Sequence, residues 1–155
     1  MKSTRTFPLV EVAVVFFAAF LSRDLINAWQ HSPHDRLGGL ALLVWLAPLV
    51  LRLANISRTE TAANSYFMGA TIVCGLLGDL AEVHFLNQVA LALALGAWVN
   101  FSWRTLPWLL SAVAWMPVYG WWLAAGFSDG TILTFRLALA MAGVISFWWM
   151  KNKLP

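Results

Sequence analysis

Charge and cysteine are both scarce in this sequence. Asp, Glu, Lys and Arg make up 11% of its 155 residues, where soluble domains carry roughly 25%. The single cysteine, Cys74, excludes an intramolecular disulfide and any multi-cysteine metal centre. Three histidines are too few, and wrongly spaced, for the helix-pair motif of zinc hydrolases. Neither a metal nor another cofactor is therefore expected. Also missing is any polar stretch long enough to fold as a soluble unit, so residues 1–155 read as one domain.

Apolar surface fills the gap. The chain is 61% hydrophobic with a mean hydropathy of +0.72. A chain this short cannot hide that much apolar surface in one soluble core, and lipid is the solvent that resolves the mismatch. Ten tryptophans agree, because the indole ring favours the membrane–water interface. The formal charge of +3 and a pI near 9.5 would suit nucleic acid. The basic residues, however, fall between apolar runs instead of forming one patch, so they read as topology signals and no nucleic-acid partner is expected.

Six runs approach the roughly 20 apolar residues that a bilayer crossing needs. They cover about 8–29, 37–54, 66–83, 86–103, 106–127 and 131–150. Turn-forming residues separate them at 30–35, 55–60 and 128–130. The sequence thus predicts an all-α polytopic membrane bundle of six transmembrane helices. Lys2 and Arg5 before an apolar run resemble a secretory signal, but Glu11 interrupts that run and no small-residue cleavage site precedes Ser22. The segment is expected to stay as the first helix.

Orientation follows from the basic residues. With both termini cytoplasmic, Lys2, Arg5, Arg52, Arg58, Arg104, Lys151 and Lys153 lie inside, while Arg23, Arg36 and Arg136 lie at or near the outside. That bias satisfies the positive-inside rule and places the protein in an inner or plasma-type cell membrane. All three histidines (His31, His34 and His84) then fall on the outer side with Asp24, Asp35, Asp79, Glu82 and Asp129. Glu11 and Glu60 stay inside; Glu11 reads as an interfacial carboxylate or as part of a proton relay.

Such an outer cluster can capture a polar substrate, hold a proton or simply cap helices in water. His31, His34 and Asp35 sit in an evident loop. Asp79 and Glu82 are three residues apart on one helix face, and Arg136 lies about 9 Å into the last helix at 1.5 Å per residue. An ionisable residue at that depth is expected to find a partner. Arg136 is predicted to pair with Asp79 or Glu82, as a structural bridge or as part of a site. His84, Asp79 and Glu82 are the catalytic candidates if the chain is an enzyme.

Ala70, Cys74 and Gly78 form a small-residue stripe on the third helix, and Ala138, Ala142 and Ser146 repeat the rhythm on the sixth. Cys74 is read as a packing residue. Pro48 interrupts the second helix, and Pro107 and Pro117 punctuate the fifth; paired interruptions mark either kinks or a transport site. Trp115, Tyr119, Trp121 and Trp122 read as an interfacial belt or as the lining of a groove for an acyl or polyprenyl chain.

Two stretches carry a family resemblance. Trp29-Gln30-His31-Ser32-Pro33-His34-Asp35-Arg36-Leu37-Gly38 resembles the entry to the exosortase/archaeosortase membrane proteases, where a Trp-containing Ser-Pro loop opens onto a Gly-led helix. Trp103-Arg104-Thr105-Leu106-Pro107-Trp108-Leu109-Leu110 with Met116-Pro117 is similar to that family's aromatic, Pro-punctuated middle helix. The resemblance spans roughly residues 29–120. It implies a Cys, then an Arg, then a His in later helices, yet Cys74 comes early and no histidine follows His84. The chain therefore resembles the front half of such a protein without its catalytic half. An accessory member that binds the same kind of sorted tail without cutting it is what this implies.

Three functions follow. The first is a non-catalytic accessory or substrate-presenting module, with a membrane protein or a second copy as partner. The second is a small transporter or channel using Asp79, Glu82 and Arg136. The third is an intramembrane enzyme acting at the outer surface.

Overall fold

A computed structural model describes residues 9–55, 63–99, 103 and 105–152, and these form an all-α helical bundle. The predicted positions Lys2, Arg5, Arg58, Glu60, Arg104 and Lys153 lie outside the described residues. The helices are α1 (Leu9–Leu21), α2 (Asp24–His31), α3 (Gly38–Asn55), α4 (Ser65–Leu80), α5 (His84–Gly96), α6 (Leu106–Leu110), α7 (Pro117–Ala124) and α8 (Asp129–Asn152), with a 3-10 turn at Ser111–Trp115 between α6 and α7.

Among the described residues, only α8 is long and apolar enough by itself to cross a membrane; α1, α3, α4, α5 and the α6–3-10 segment are shorter apolar helices. Two of the expected continuous helices are broken. The first divides at Ser22–Arg23, where no proline or glycine stands. Instead the Ser22 hydroxyl donates to the Asn87 carbonyl at 2.8 Å, so a tertiary hydrogen bond holds the break. The fifth divides at Met116, which is extended (φ −79°, ψ 139°), as a residue before proline must be. Pro107 begins α6 and interrupts nothing, while Pro48 is buried inside an unbroken α3.

α4 and α5 form a tight hairpin. Glu82 turns the chain with φ 55°, a left-handed conformation rare outside glycine and asparagine. At the hairpin's open end the Asn64 side chain caps α4 by accepting from the Tyr66 and Phe67 amides at 3.0 and 3.4 Å, and the Asn64 backbone N–H donates to the Ala97 carbonyl at 2.8 Å. Asn64→Ala is expected to cost about 1 kcal/mol, read as a lowered unfolding midpoint in detergent.

Of the small-residue stripe, Gly78 packs where expected, while the other two positions shift by one. Thr71, Gly75 and Gly78 are the buried face of α4, with Gly75 against Phe17 and Leu21 of α1 and Gly78 against Asn87 of α5. Ala70 and Cys74 are only half-buried. α4 packs on α5 and α1, whereas α8 packs on α3, α6, α7 and the 3-10 turn. Ala138 and Ala142 face outward; Ala140 and Gly143 do the packing. A side chain at Gly143 would collide with Ser111, which is why α8 can lie so close to the 3-10 turn.

The core lies between α3, α6, the 3-10 turn and α8. Trp45 and Trp108 stack with ring centroids 4.5 Å apart and planes 7° apart, and Trp115 meets Trp45 edge-on. Each stacked indole donates to the other residue's backbone carbonyl, at 2.8 and 2.9 Å. This double bond between α3 and α6 satisfies two indole N–H groups that would be costly to bury alone.

Candidate functional site

Breaking a helix at Pro117 leaves carbonyl oxygens without intrahelical donors. Side chains from two other segments supply them. Arg136 of α8 donates through Nη1 to the Ala114 and Met116 carbonyls at 2.7 and 3.2 Å, and through Nε to the His34 carbonyl at 3.0 Å. Its Nη2 meets the Asp35 carboxylate in an ion pair. The indole of Trp29 donates to the Trp115 carbonyl at 3.1 Å. Arg136 is fully buried, with its guanidinium 5.8 Å from the Tyr119 ring centroid.

The expected partner of Arg136 is thus corrected. Asp79 and Glu82 are exposed at the α4–α5 turn, which swings them away from α8, and Asp35 takes their place. Asp35 gets there because the chain after α2 folds back on itself: the Asp35 amide donates to Ser32, and the Gly38 amide to Asp35, at 3.1 and 2.7 Å. Gly38 and Gly39 lie against the Trp29 ring, where a side chain at Gly38 would collide with it.

Gly120 on α7 makes room for the ion pair. A Cβ there would collide with Arg136 Nη2 and Asp35 Oδ1 and come within 3.1 Å of the His34 carbonyl. Gly120→Ala is expected to cost about 1–3 kcal/mol through overpacking. Gly126→Ala, which meets nothing within 4 Å, should stay within about 0.5 kcal/mol of the parent. Paired thermal melts check the contrast.

Beside this clamp a cavity of about 630 Å³ opens between α2, the turn after it, α5 and α7. Asp24, Asn27, Ser32, His34, Asp35, His84 and Gln88 supply its polar wall, and Phe85, Pro117, Val118 and Trp121 its apolar one. His84 and Gln88 are four residues apart on α5 and so share a face, which is turned to Asp24. Gln88 Nε2 donates to Asp24 Oδ2 at 3.4 Å, and His84 Nδ1 lies 3.7 Å from the same oxygen. His34 Nδ1 lies 2.8 Å from Asp129 Oδ1. That contact lacks hydrogen-bond angles, so it is charge proximity that needs a protonated imidazole.

The structure therefore gathers His34, Asp35, His84, Asp24 and Asp129 of the predicted outer cluster. His31 stays outside it, exposed, with Nδ1 3.0 Å from its own helix's Asn27 carbonyl. His84 contacts Asp24 and neither Asp79 nor Glu82. The aromatic string is not one surface: Trp115 is core, Tyr119 flanks Arg136, and Trp121 and Trp122 are exposed. Glu11 lies half-buried in the first turn of α1. Among the described residues no three His, Cys, Asp or Glu side chains are placed to hold a metal ion. Gln88 was missed from sequence; its signal was the pair Asn87-Gln88 inside an apolar run, both of which are buried.

No known protein family, curated protein or solved structure matches this chain.

Proposed function

We propose that the chain is an integral membrane protein of six crossings with cytoplasmic termini, acting as a non-catalytic module that presents a bound amphiphile from a pocket at its outer end. The cavity beside the Arg136 clamp carries this reading. It joins a polar wall to an apolar one, as a site for a molecule with a polar head and an apolar body must.

Support for the bilayer comes from the surface. Leu43, Val50, Val73, Leu76, Met141 and Ile145 are exposed on three different helices, and an apolar surface this widespread is a liability in water. Only 22% of the apolar window in α8 is buried, unlike the core helix of a soluble protein. α1 with α2 makes one crossing, and α6 with α7 another. Irregular backbone at membrane depth is tolerated where protein satisfies its polar groups, and Arg136 and Trp29 do so at the Met116 break. The Trp29–Gly38 segment that resembles the exosortase entry forms part of the pocket wall, which fits an accessory, tail-binding member of that kind. The transport reading loses its pathway, because Asp79 and Glu82 do not line up with Arg136.

Two measurements test this. In a Cys74→Ser background, Ser32→Cys should react with a membrane-impermeant maleimide from outside, and Arg58→Cys only after permeabilisation. Native mass spectrometry of the gently extracted protein should show an unchanged amphiphile that Val118→Trp, filling the cavity, displaces. Labelling of both cysteines from one side, or an adduct indifferent to Val118→Trp, would overturn the proposal.

A further inference from the structure

Asp129 and Arg136 stand seven positions apart on α8, so they share one face of that helix, about 10 Å apart along its axis. Both meet the turn after α2, at consecutive residues and with the charges crossed. Asp129 Oδ1 lies 2.8 Å from His34 Nδ1, and Arg136 pairs with Asp35. The two grips differ in kind. Arginine holds its charge at every pH a cell meets, and its pair with Asp35 is shut away from water. His34 and Asp129 are open to water, with side-chain exposures of 34% and 52%, and histidine is the side chain that changes charge between about pH 5 and 8.

The protonation of His34 decides whether the second grip exists. A neutral imidazole with its proton on Nε2 turns the Nδ1 lone pair toward a carboxylate oxygen, and two acceptors repel at 2.8 Å. A protonated ring sets a positive charge there instead. The other ionisable groups on the surrounding elements do not substitute for Asp129. From α2 come Asp24 and His31, from the turn itself Asp35 and Arg36, from α5 His84, and from α7 Tyr119. Asp35 is held by Arg136, which Tyr119 flanks; Asp24 faces Gln88 and His84; His31 lies on the Asn27 carbonyl; and Arg36 is exposed. Asp129 is the one acid in ion-pair reach of His34 among the described residues.

We propose that His34 and Asp129 form an acid-closed latch on the pocket. Ser32, His34 and Asp35 all belong to its wall. Protonation of His34 pins this wall to the start of α8 at a second point; deprotonation frees the His34 side chain while Arg136 keeps Asp35 and the His34 carbonyl in place. The pair of His84 with Asp24, at 3.7 Å, is not a second latch, because the Gln88–Asp24 and Ser22–Asn87 bonds join α2 to α5 without it. The latch acts on the wall whatever the pocket holds, so it stands or falls apart from the amphiphile reading.

Hydrogen exchange of the full chain in phosphatidylcholine nanodiscs tests this, compared at about pH 5.5 and about pH 8 after correction for intrinsic rates. The reporters are the amides of Asp35 and Gly38, which bond within the turn at 3.1 and 2.7 Å, and of Ile132, which closes the first turn of α8 at 3.0 Å. Their protection, relative to that of Leu91 in α5, should be about two- to fivefold higher at the acid pH, the scale of a partly exposed ion pair. His34→Gln and Asp129→Asn each remove one charge and spare the Arg136 contacts, which use the His34 backbone and the Asp35 side chain. Both should abolish the pH dependence, whereas His84→Gln should keep it. Asp129 is exposed at a helix start, so its variant reads the latch even if His34→Gln folds poorly. Equal protection of the parent at the two pH values, a dependence that survives Asp129→Asn, or one that disappears in His84→Gln overturns the latch.

Discussion

Arg136→Met is expected to destabilise the protein by about 3–5 kcal/mol, the cost of leaving a buried charge without its partner. The substitution strips Asp35 of its only counter-ion among the described residues and removes donors from the carbonyls of His34, Ala114 and Met116. Both ends of the interaction are nearly inaccessible, with side-chain exposures of 0% and 8%, so solvent cannot compensate. The double variant Arg136→Met/Asp35→Leu removes both charges and should recover a large part of the loss, though not the part due to the orphaned carbonyls. Arg136→Lys keeps the charge but lacks the planar fork that reaches four acceptors, and should still lose more than half of the clamp's contribution. Unfolding in mixed micelles with increasing dodecyl sulfate measures all three. If the double variant is no more stable than Arg136→Met, the ion pair is not what the arginine is for.

The second large effect concerns the stacked indoles. Trp45→Ala should cost about 3–5 kcal/mol, the range for emptying a buried aromatic site. Trp45 is fully buried, so the void would lie between α3 and α6 with no side chain able to fill it. Much of that loss is of dispersion contacts around the indole. Trp45→Phe keeps a ring over Trp108 and removes only the N–H that reaches the Trp108 carbonyl. It should cost about 1–2 kcal/mol, since Trp108 still donates to the backbone at position 45. The gap between the two variants in the same dodecyl sulfate titration separates packing from hydrogen bonding; equal losses would mean that the stack contributes nothing.

Much of the architecture was legible because it depends on local pattern. Apolar runs bounded by turn residues located the helical segments, and the break at Pro117 follows from a missing N–H. The alternation of charges grouped the histidines with several acids, and four of the residues around the pocket wall (Asp24, His34, Asp35 and His84) came from that reading. What escaped depends on long-range geometry. Arg136 needed an acid, but no periodicity says that the loop after α2 folds back far enough to deliver Asp35. Nor does any local signal break the first helix at Ser22, where the cause is the Asn87 carbonyl 65 residues away. Gly78 of the small-residue stripe packs as expected, but the stripe's other positions slipped by one because α4 carries small residues on adjacent positions, Cys74 and Gly75, and spacing alone cannot rank them. Asp24 and Gln88 sit on separate helices, and neither is unusual by itself.

The clamp also sets an order of events. Arg136 belongs to the last helix, and its contacts reach back 101 residues to Asp35 and 22 to Ala114. Until α8 is in place, the loop carrying His34 and Asp35 lacks its Arg136 anchor, and the Ala114 carbonyl before the helix break lacks its Arg136 donor. A chain emerging stepwise from its N-terminus therefore leaves the acidic loop unmet for 101 residues of synthesis, but the bent segment for only 22. Only when the final segment docks does one guanidinium close both. The clamp is in that sense a late seal, closed by a helix made well after the loop that it anchors.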